Sequence, residues 1–176
     1  DIHVSGTLAD LAQTQADLAI IALPAGEVVS ALEIAARIKC QAVLVLSSGI
    51  GAADAAEMHK IAQRDGIHLL GPNSMGFQRP HLHLNASSAG ALSAQGPLAL
   101  VSQSGALTSS ILDWAQKNAV GFSTVVSLGP HTSVDMAQVL DVLASDARTN
   151  RIVVYLPGIS TARRLMSALR AAPNPK

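Results

Sequence analysis

Short turns of small and polar residues recur through this sequence, each directly after a run of aliphatic residues. Such turns leave backbone N–H groups open to a ligand, because no bulky side chain covers them. Open parallel sheets bind ligands at the carboxyl ends of their strands, so these turns are the candidate binding residues. Five follow candidate strands: Leu23-Pro24-Ala25, Ser47-Ser48-Gly49-Ile50-Gly51, Gly71-Pro72-Asn73-Ser74, Ser102-Gln103-Ser104-Gly105 and Leu128-Gly129-Pro130.

The turn from Ser102 to Gly105 lies between a predicted strand and a predicted helix. The first N–H groups of a helix have no partner within it, and the helix dipole favours negative charge there. The turn therefore predicts a site for phosphate or another anion, with a simple N-cap at Ser104 as the alternative. A third interpretation makes Ser104 a nucleophile in a small-x-Ser-x-small elbow. It would depend on His131, the one histidine that follows Ser104 in the sequence.

Two further patterns are typical of cofactor or metal sites. Ser47 to Asp54 reads S-S-G-I-G-A-A-D, a G-x-G at the mouth of a helix that resembles a dinucleotide fingerprint. Asp54 stands at the third glycine position, where its charge would face a pyrophosphate, so the pattern favours a plain turn over nicotinamide binding. His81 and His83 form an H-x-H without an identifiable third ligand. Loop histidines of this kind are typically solvated, and we expect no metal site.

The elements that must position these turns alternate between short aliphatic strands and longer amphipathic helices, as in βα units that build a parallel sheet. The first series has predicted strands at 17–23, 41–46 and 67–70, with helices at 26–39 and 53–65. The second has strands at 98–101, 123–128 and 151–156, with helices at 105–118, 134–143 and 161–171. Residues 71–96 lose this periodicity and are predicted to form a functional loop and a linker.

Composition narrows the classes of function. Hydrophobic residues make up 49% of the sequence and aromatic residues 2%, which predicts a globular fold with an aliphatic core that includes Trp114. A net charge of zero without basic runs argues against nucleic acid, and no apolar run reaches the ~18 residues of a membrane span. The lone Cys40 excludes an internal disulfide. It favours a cytoplasmic compartment and a buried, unreactive thiol.

Six strings of the sequence together resemble one protein family. From about Asp17 to the end, with order and spacing preserved, the chain resembles the α-type portion of the NDP-forming acyl-CoA synthetases, relatives of succinyl-CoA synthetase. The resemblance is closest to the large bacterial fused proteins that also carry an acetyltransferase domain and acetylate protein lysines. The strings are LGPNSMG, LVSQSGAL, SILDWA, GFSTVVSLG, VDMAQVLDVLASD and VVYLPGISTARRLMSALRAA.

The resemblance implies an α/β fold with parallel sheets, in which a partial Rossmann-like CoA-binding domain precedes a partial flavodoxin-like, succinyl-CoA-synthetase-like domain. Residues 1–88 are expected to form the C-terminal part of the first domain, 89–96 a linker, and 97–176 the N-terminal part of the second. The resemblance also implies binding of CoA or acyl-CoA and of phosphate, with ATP or ADP supplied through an ATP-grasp domain or subunit outside this chain. A homo-oligomer is compatible with it, whereas nucleic acid and membranes are not expected as partners.

Individual positions acquire roles from the same resemblance, and none of them is catalytic. The turns that match the CoA pocket hold Pro24 and Ala25, then Ser47, Ser48 and Gly49, and the loop near the thioester end holds Pro72, Asn73 and Ser74. The helix N-terminus that holds the phosphate of a phosphohistidine intermediate in the family is matched by Ser102, Gln103, Ser104 and Gly105.

Three departures from the family pattern bear on the ligase activity that the resemblance implies. The family's first βα unit is expected before Asp1 and its phosphorylated histidine after Lys176, so the isolated chain is expected to lack ligase activity. Pro157 stands where catalytic members have a glutamate that contacts the active histidine. The parent is therefore predicted to be an acid–thiol ligase or a fused lysine acetyltransferase regulated through this region. Alternatives from other classes are a catalytically silent ligand-binding module and an NAD(P)-dependent oxidoreductase domain.

Overall fold

The computed structural model describes residues 15–130, 132–156 and 166–167, and its strands form two separate sheets. Sheet A has three parallel strands in the order β1 (Leu18–Ile21), β2 (Ala42–Val45) and β3 (His68–Leu70). Helix α1 (Val28–Arg37) connects β1 to β2, and α2 (Ala52–Asp65) connects β2 to β3. All five elements confirm the predicted series, with bounds that differ from the expected ones by a few residues.

One core lies between sheet A and its two helices. Val43, Val45 and Leu69 from the strands meet Leu32 and Met58 from the helices, and all are buried. Val43 and Val45 alternate with side chains on the other face of β2, as the pleat of a strand requires. This core is aliphatic, as the composition predicts.

Cys40 lies in the same core and is 3% exposed, which confirms the predicted buried thiol. Burial raises the pKa of the Cys40 thiol, and the negative charge of Asp17 adds to this effect. The thiolate is the reactive form, so the raised pKa and the restricted access both lower the reactivity of Cys40.

We therefore expect Cys40 to alkylate slowly in the folded chain. At pH 8 the rate with iodoacetamide should be about tenfold or more below the rate in guanidinium chloride, because unfolding both exposes the thiol and lowers its pKa. Mass spectrometry over time measures both rates. Equal rates would show that Cys40 is accessible and ionised in the native chain.

Sheet B has five strands in the order β5-β4-β7-β6-β8. They are β4 (Gly76–Arg79), β5 (Leu84–Ser87), β6 (Gln95–Ser102), β7 (Phe122–Ser127) and β8 (Arg151–Tyr155). Strand β6 pairs in parallel with β7 and β8, whereas β4 pairs antiparallel with β5 and β7. The connecting helices are α3 (Gly105–Lys117) and α4 (Met136–Ser145). Sheet B is thus mixed, whereas both sheets were expected to be parallel.

Strands β4 and β5 lie within residues 71–96, where only loop and linker are predicted. The sequence of β4 shows no alternation of apolar and polar residues, because the strand buries Gln78 in place of an apolar side chain. Gln78 is 0% exposed. The Gln78 amide donates to Ser87 Oγ and the Ala91 carbonyl, and it accepts from the Ser93 N–H at 3.0 Å. The change of sheet therefore falls between Leu70 and Gly76, and the domain division at 89–96 stays a prediction.

Both faces of sheet B carry a helix. Strands β6 and β7 pack against α4 on one face and against Leu112 and Ala115 of α3 on the other. Trp114 is 57% exposed, so its prediction as a core residue is wrong. The buried positions of α3 are Thr108, Leu112 and Ala115, which are spaced by four and three residues, and Trp114 lies off this stripe.

A partly buried ion pair joins β4 to the end of α4. Arg79 Nη2 lies 3.0 Å from Asp146 Oδ2, and the two side chains are 24% and 12% exposed. Asp146 Oδ1 also accepts the N–H of Arg148. Asp146 reads as ordinary helix surface in the sequence, but the structure gives it a cross-element partner.

We expect Asp146→Ala to lower the free energy of unfolding by about 2 kcal/mol, because Arg79 would keep its charge without its partner. Urea unfolding measures the change. Asp141→Ala, at an exposed position of the same helix, is the matched control and should stay within about 0.5 kcal/mol. Equal effects of the two substitutions would show that the pair contributes nothing.

Within the described ranges no helix is long and apolar enough to cross a bilayer. Of the helix predicted at 161–171, the structure describes residues 166 and 167, which are helical. The rest of that predicted helix lies outside the described residues.

Candidate functional site

The turns that follow β1, β2 and β3 lie side by side at the carboxyl end of sheet A, and Ser47 joins them. Its hydroxyl accepts from the N–H of Leu23 at 3.0 Å and donates to the Leu23 carbonyl at 2.6 Å. Its own carbonyl accepts the N–H of Asn73 at 2.9 Å. One residue thus fixes the spacing of all three predicted CoA turns.

These turns present mainly backbone and small side chains. Pro24, Ser48 and Gly49 are exposed, and Ala25 is half-buried. Gly49 has a φ of 76° with no neighbouring atom within 4 Å of an added Cβ, so its surroundings are open. Gly51, the N-cap of α2, makes no side-chain cap, which leaves the first amides of that helix without one.

The loop after β3 is seated against the end of β2. Gly71 has a φ of 96°, and an added Cβ would overlap the carbonyl oxygen of Val45, so glycine is required twice over. The Gly71–Pro72 peptide bond is cis and Pro72 is buried. Asn73 is exposed with a φ of 54°, which places it at the tip of the loop.

Ser74 anchors the same loop to sheet B. It is 4% exposed, its hydroxyl donates to the carbonyl of Ser127, and it accepts the N–H of Gly76 at 2.8 Å. These bonds occupy its hydroxyl within the protein. The structure therefore gives Ser74 the task of positioning the loop, and Asn73 is the side chain that the loop offers to a ligand.

At the start of α3, most polar groups bond within the turn. Ser102 is 0% exposed, and its Oγ accepts the N–H of Ser104 and donates to the Ser104 carbonyl, both at 3.0 Å. The N–H of Gln103 donates to the carbonyl of Tyr155 at 3.2 Å. The N–H of Ser104, expected to face an anion, is therefore engaged by Ser102.

The donors that α3 offers are the amides of its first two residues, Gly105 and Ala106, which have no partner within the helix. Ser104 is the N-cap, and its Oγ accepts the N–H of Leu107 at 3.3 Å. The capping alternative is thus confirmed for the Ser104 side chain. This cap engages the N–H of Leu107 and leaves the N–H groups of Gly105 and Ala106 open to an anion.

Ser104→Ala should cost about 1 kcal/mol of the free energy of unfolding, because the N–H of Leu107 loses its acceptor. Ser110→Ala is the matched control on the same helix, since the Ser110 hydroxyl bonds only to the carbonyl of Ala106 among the described residues. That substitution should stay within about 0.5 kcal/mol. Urea midpoints measure both, and equal costs would contradict a capping role.

Met75 connects the loop after β3 to the start of α3. A Cβ at Gly105 would lie 3.0 Å from Met75 Cγ and 3.1 Å from its sulfur, so the thioether fills the space that the glycine leaves. The Ser109 hydroxyl donates to the same sulfur at 3.5 Å. The predicted thioester loop and the predicted phosphate turn are therefore adjacent.

The fifth turn, Leu128-Gly129-Pro130, closes on the same loop. A Cβ at Gly129 would overlap the carbonyl oxygen of Pro72, so the two backbones are in direct contact. The turns at Ser47, Gly105 and Gly129 thus contact the loop of residues 71–76, and the turn at Leu23 is joined to them through Ser47. Met75 and Ser127 were missed as contributors, and their only signal in the sequence is their position beside the ends of strands.

The histidines do not form a metal centre in the part of the chain that the structure describes. No group of three or more His, Cys, Asp or Glu side chains lies close enough there to hold an ion. His81 Nε2 lies 3.4 Å from the carbonyl oxygen of Gly96, and His83 is exposed. His131, on which the nucleophile interpretation depends, and Pro157 lie outside the described residues.

Comparison with known families accounts for both halves of this arrangement. Residues 2–80 match the model of the CoA binding domain, and residues 95–176 match that of the succinyl-CoA ligase like flavodoxin domain. The chain pairs a CoA-binding domain with a succinyl-CoA ligase-like domain. Ser47 and Asn73 lie in the CoA-binding domain and Gly105 in the ligase-like domain, so the contact of Met75 with Gly105 joins the two.

Curated relatives of the chain include ADP-forming acetate–CoA ligases. The chain is 35% identical over 161 residues to acetate–CoA ligase [ADP-forming] I of Archaeoglobus fulgidus, which covers 88% of this chain and 24% of that protein. It is 32% identical to the alpha subunit of acetate–CoA ligase [ADP-forming] I of Pyrococcus furiosus, over 89% of this chain and 35% of the subunit. The chain thus spans between a quarter and about a third of these relatives.

A solved structure shares the fold. Acetyl-coenzyme A synthetase 1 of Ca. Korarchaeum cryptofilum superposes with a TM-score of 0.84 at 26% identity, covering 89% of this chain and 35% of that one. The predicted α/β class, with a Rossmann-like unit before a flavodoxin-like unit, is thereby confirmed.

Proposed function

We propose that this chain binds CoA or acyl-CoA at the carboxyl end of sheet A, and phosphate at the start of α3, within a parent acid–thiol ligase of the NDP-forming type. The observation that carries the proposal is the contact of Met75 with Gly105. It places the loop proposed for the thioester end of CoA beside the two amides proposed for the anion. The relatives that are ADP-forming CoA ligases support the same class of reaction.

Each part of the site has a simple task in such a reaction. The exposed turns at Pro24 and Ser48 give CoA a surface of backbone and small side chains, and Asn73 reaches the same side from the third turn. CoA, when bound, supplies the thiol that becomes the thioester. The amides of Gly105 and Ala106 stabilise the negative charge of phosphate without a basic side chain, since the helix dipole adds to their hydrogen bonds.

The nucleotide and the domain that binds it are proposed for the parent protein and not for this chain. ATP or ADP is proposed to reach it through an ATP-grasp domain or subunit, and a homo-oligomer stays a prediction. The inactivity of the isolated chain also stays a prediction. The fused acetyltransferase is an option for the parent that Pro157 favours. The silent binding module and the NAD(P)-dependent oxidoreductase domain stay alternatives from other classes.

Calorimetric titration of this chain with CoA, acetyl-CoA and NADH tests the proposal. We expect CoA and acetyl-CoA to bind and NADH not to. Ser47→Ala should weaken CoA about tenfold, because the three turns lose the hydroxyl that fixes their spacing. Ser145→Ala, at the far end of α4, is the control and should leave the affinity unchanged.

Saturable binding of NADH without binding of CoA would support the oxidoreductase alternative and contradict this proposal. Unchanged CoA affinity in Ser47→Ala, with the fold intact by circular dichroism, would place CoA elsewhere on the chain. Either result is distinguishable from loss of folding, because the thermal midpoint of each variant is recorded beside its titration.

A further inference from the structure

A cleft lies between the second half of α3 and the loop of residues 89–94. Its volume is about 290 Å³, at the lower end of the range of about 300–1,000 Å³ that small-molecule sites occupy. The helical residues that line it begin at Leu112, seven residues after Gly105, or roughly 10 Å along the helix axis. None of the lining residues belongs to the five turns, so the cleft is separate from the candidate functional site.

The loop wall of this cleft is fixed by two side chains of sheet B. The amide of Gln78 donates to the Ala91 carbonyl at 3.2 Å and accepts the N–H of Ser93 at 3.0 Å. Asn85 Nδ2 donates to the Gly90 carbonyl at 2.8 Å. A buried amide such as Gln78 is costly unless it is hydrogen-bonded, and two of its bonds hold this loop in place. The cleft is therefore preformed in the folded chain.

The inner surface of the cleft is aliphatic. Leu112 and Ala115 are 9% and 1% exposed, and the half-buried Val120 packs against the same core. Most of the other apolar lining residues have short side chains, which leaves room for a ligand: Ala89, Ala91, Ala94 and Ala119. A compact hydrocarbon group matches such a surface.

The polar part of the cleft carries one negative charge. Asp113 and Gln116 line it from α3 and are three residues apart, which places them on the same side of the helix. Both are exposed, and neither has an ion-pair or hydrogen-bond partner for its side chain among the residues that the structure describes. No Lys, Arg or His lines the cleft. The two side chains therefore offer accessible acceptors without a cation.

The end of α3 strengthens the preference for a positive charge. The carboxyl end of a helix carries partial negative charge, and the cleft extends along the last turn to Ala119. Lys117 is the basic residue of that turn, but it does not line the cleft and forms no ion pair with Asp113. An anionic ligand would be repelled here, whereas a cation is attracted.

We propose that this cleft binds a small primary ammonium compound with a compact aliphatic body. An ammonium group has three donors and no acceptor, so it can bond to both the Asp113 carboxylate and the Gln116 amide oxygen. The body of the ligand lies against Leu112 and Val120. The site is independent of the CoA turns and does not rest on the proposed function.

Cyclohexylammonium is the probe, titrated at pH 7 into the ¹⁵N-labelled chain and followed by amide chemical shifts. Saturable shifts are expected at Gly90, Ala115 and Ala119, and not at Ser48 or Asn73. Cyclohexanol has the same ring without the charge and should bind about tenfold more weakly. Cyclohexanecarboxylate should not bind. No saturable shift with cyclohexylammonium, or equal binding of any two of these compounds, would overturn the proposal.

Asp113→Asn removes the charge with little change of shape. Cyclohexylammonium should bind about tenfold more weakly, while the affinity for cyclohexanol stays the same. The thermal midpoint should change little, because Asp113 is exposed. Asp141→Asn, at an exposed position of α4, is the matched control and should leave both affinities unchanged. Unchanged cyclohexylammonium affinity in Asp113→Asn, or an equal loss in Asp141→Asn, would overturn the proposed contact.

Gln116→Leu tests the second acceptor. It should weaken cyclohexylammonium about threefold, less than the loss of a charged partner, because hydrogen bonds to neutral groups contribute less. Lys117→Gln, in the same turn but outside the cleft, should not weaken binding. Unchanged affinity in Gln116→Leu, or an equal loss in Lys117→Gln, would show that the Gln116 amide does not contact the ligand.

Discussion

Gly71→Ala is expected to lower the free energy of unfolding by about 3 kcal/mol. The native φ of 96° disfavours any side chain, and the new Cβ would overlap the carbonyl oxygen of Val45, a backbone atom that cannot turn away. Both effects destabilise the loop after β3, which joins the turns of the candidate site. Urea unfolding followed by circular dichroism measures the loss.

Two other glycines separate these costs. Gly49 has a φ of 76° with open space around it, so Gly49→Ala pays for the backbone alone, about 1 kcal/mol. Gly26 has neither a positive φ nor a neighbour within 4 Å, and Gly26→Ala should be neutral or slightly stabilising. If Gly71→Ala costs no more than Gly49→Ala, the contact with Val45 relaxes freely and the loop is not tightly seated.

Gly105→Val is expected to reduce the affinity of the intact parent for phosphate and acyl-CoA by about tenfold or more. A β-branched side chain would stand over the open amides of Gly105 and Ala106, and its Cβ would press on the Met75 thioether. Met75 is flexible and can move, so the accompanying loss of stability should be only about 1 kcal/mol. Anion titration and the urea midpoint measure the two effects separately.

Two neighbouring substitutions serve as controls. Ser104→Ala removes the cap but leaves the amides open, so stability should fall while anion affinity changes little. Met75→Ala removes the neighbour of Gly105 and should retain phosphate binding. If Gly105→Val lowers stability and leaves both affinities unchanged, the turn is only a cap, and the function proposed for this half of the chain is wrong.

Most of the fold follows from local pattern. The β-branched and aliphatic runs at β2 and β7 are buried strands, and Gly66, with a φ of 68°, ends α2 where a left-handed residue is needed. Strand β4 was missed because its buried side chain is Gln78, whose amide is satisfied only by residues that the fold brings to it. Trp114 was misplaced because helical spacing alone does not fix which neighbouring stripe of α3 faces the sheet.

The candidate site shows the same division. The positions of the five turns could be predicted, because they follow from where strands end. The contacts that join them could not. Ser47 contacts Leu23 across 24 residues of sequence, and Met75 contacts Ser109 across 34. The residues next to each partner in the sequence therefore do not indicate these contacts. Likewise Asp146 looks like surface until β4 places Arg79 beside it.

Residues 71–75 run from the last strand of sheet A directly to the first strand of sheet B, without slack. A ligand that holds this loop therefore also holds the two sheets in one arrangement. If a ligand binds this loop more tightly in one arrangement of the sheets than in another, then by thermodynamic reciprocity its binding favours that arrangement by the same factor. Because the connection is short, these residues are where a ligand bound beside one sheet would act on the position of the other.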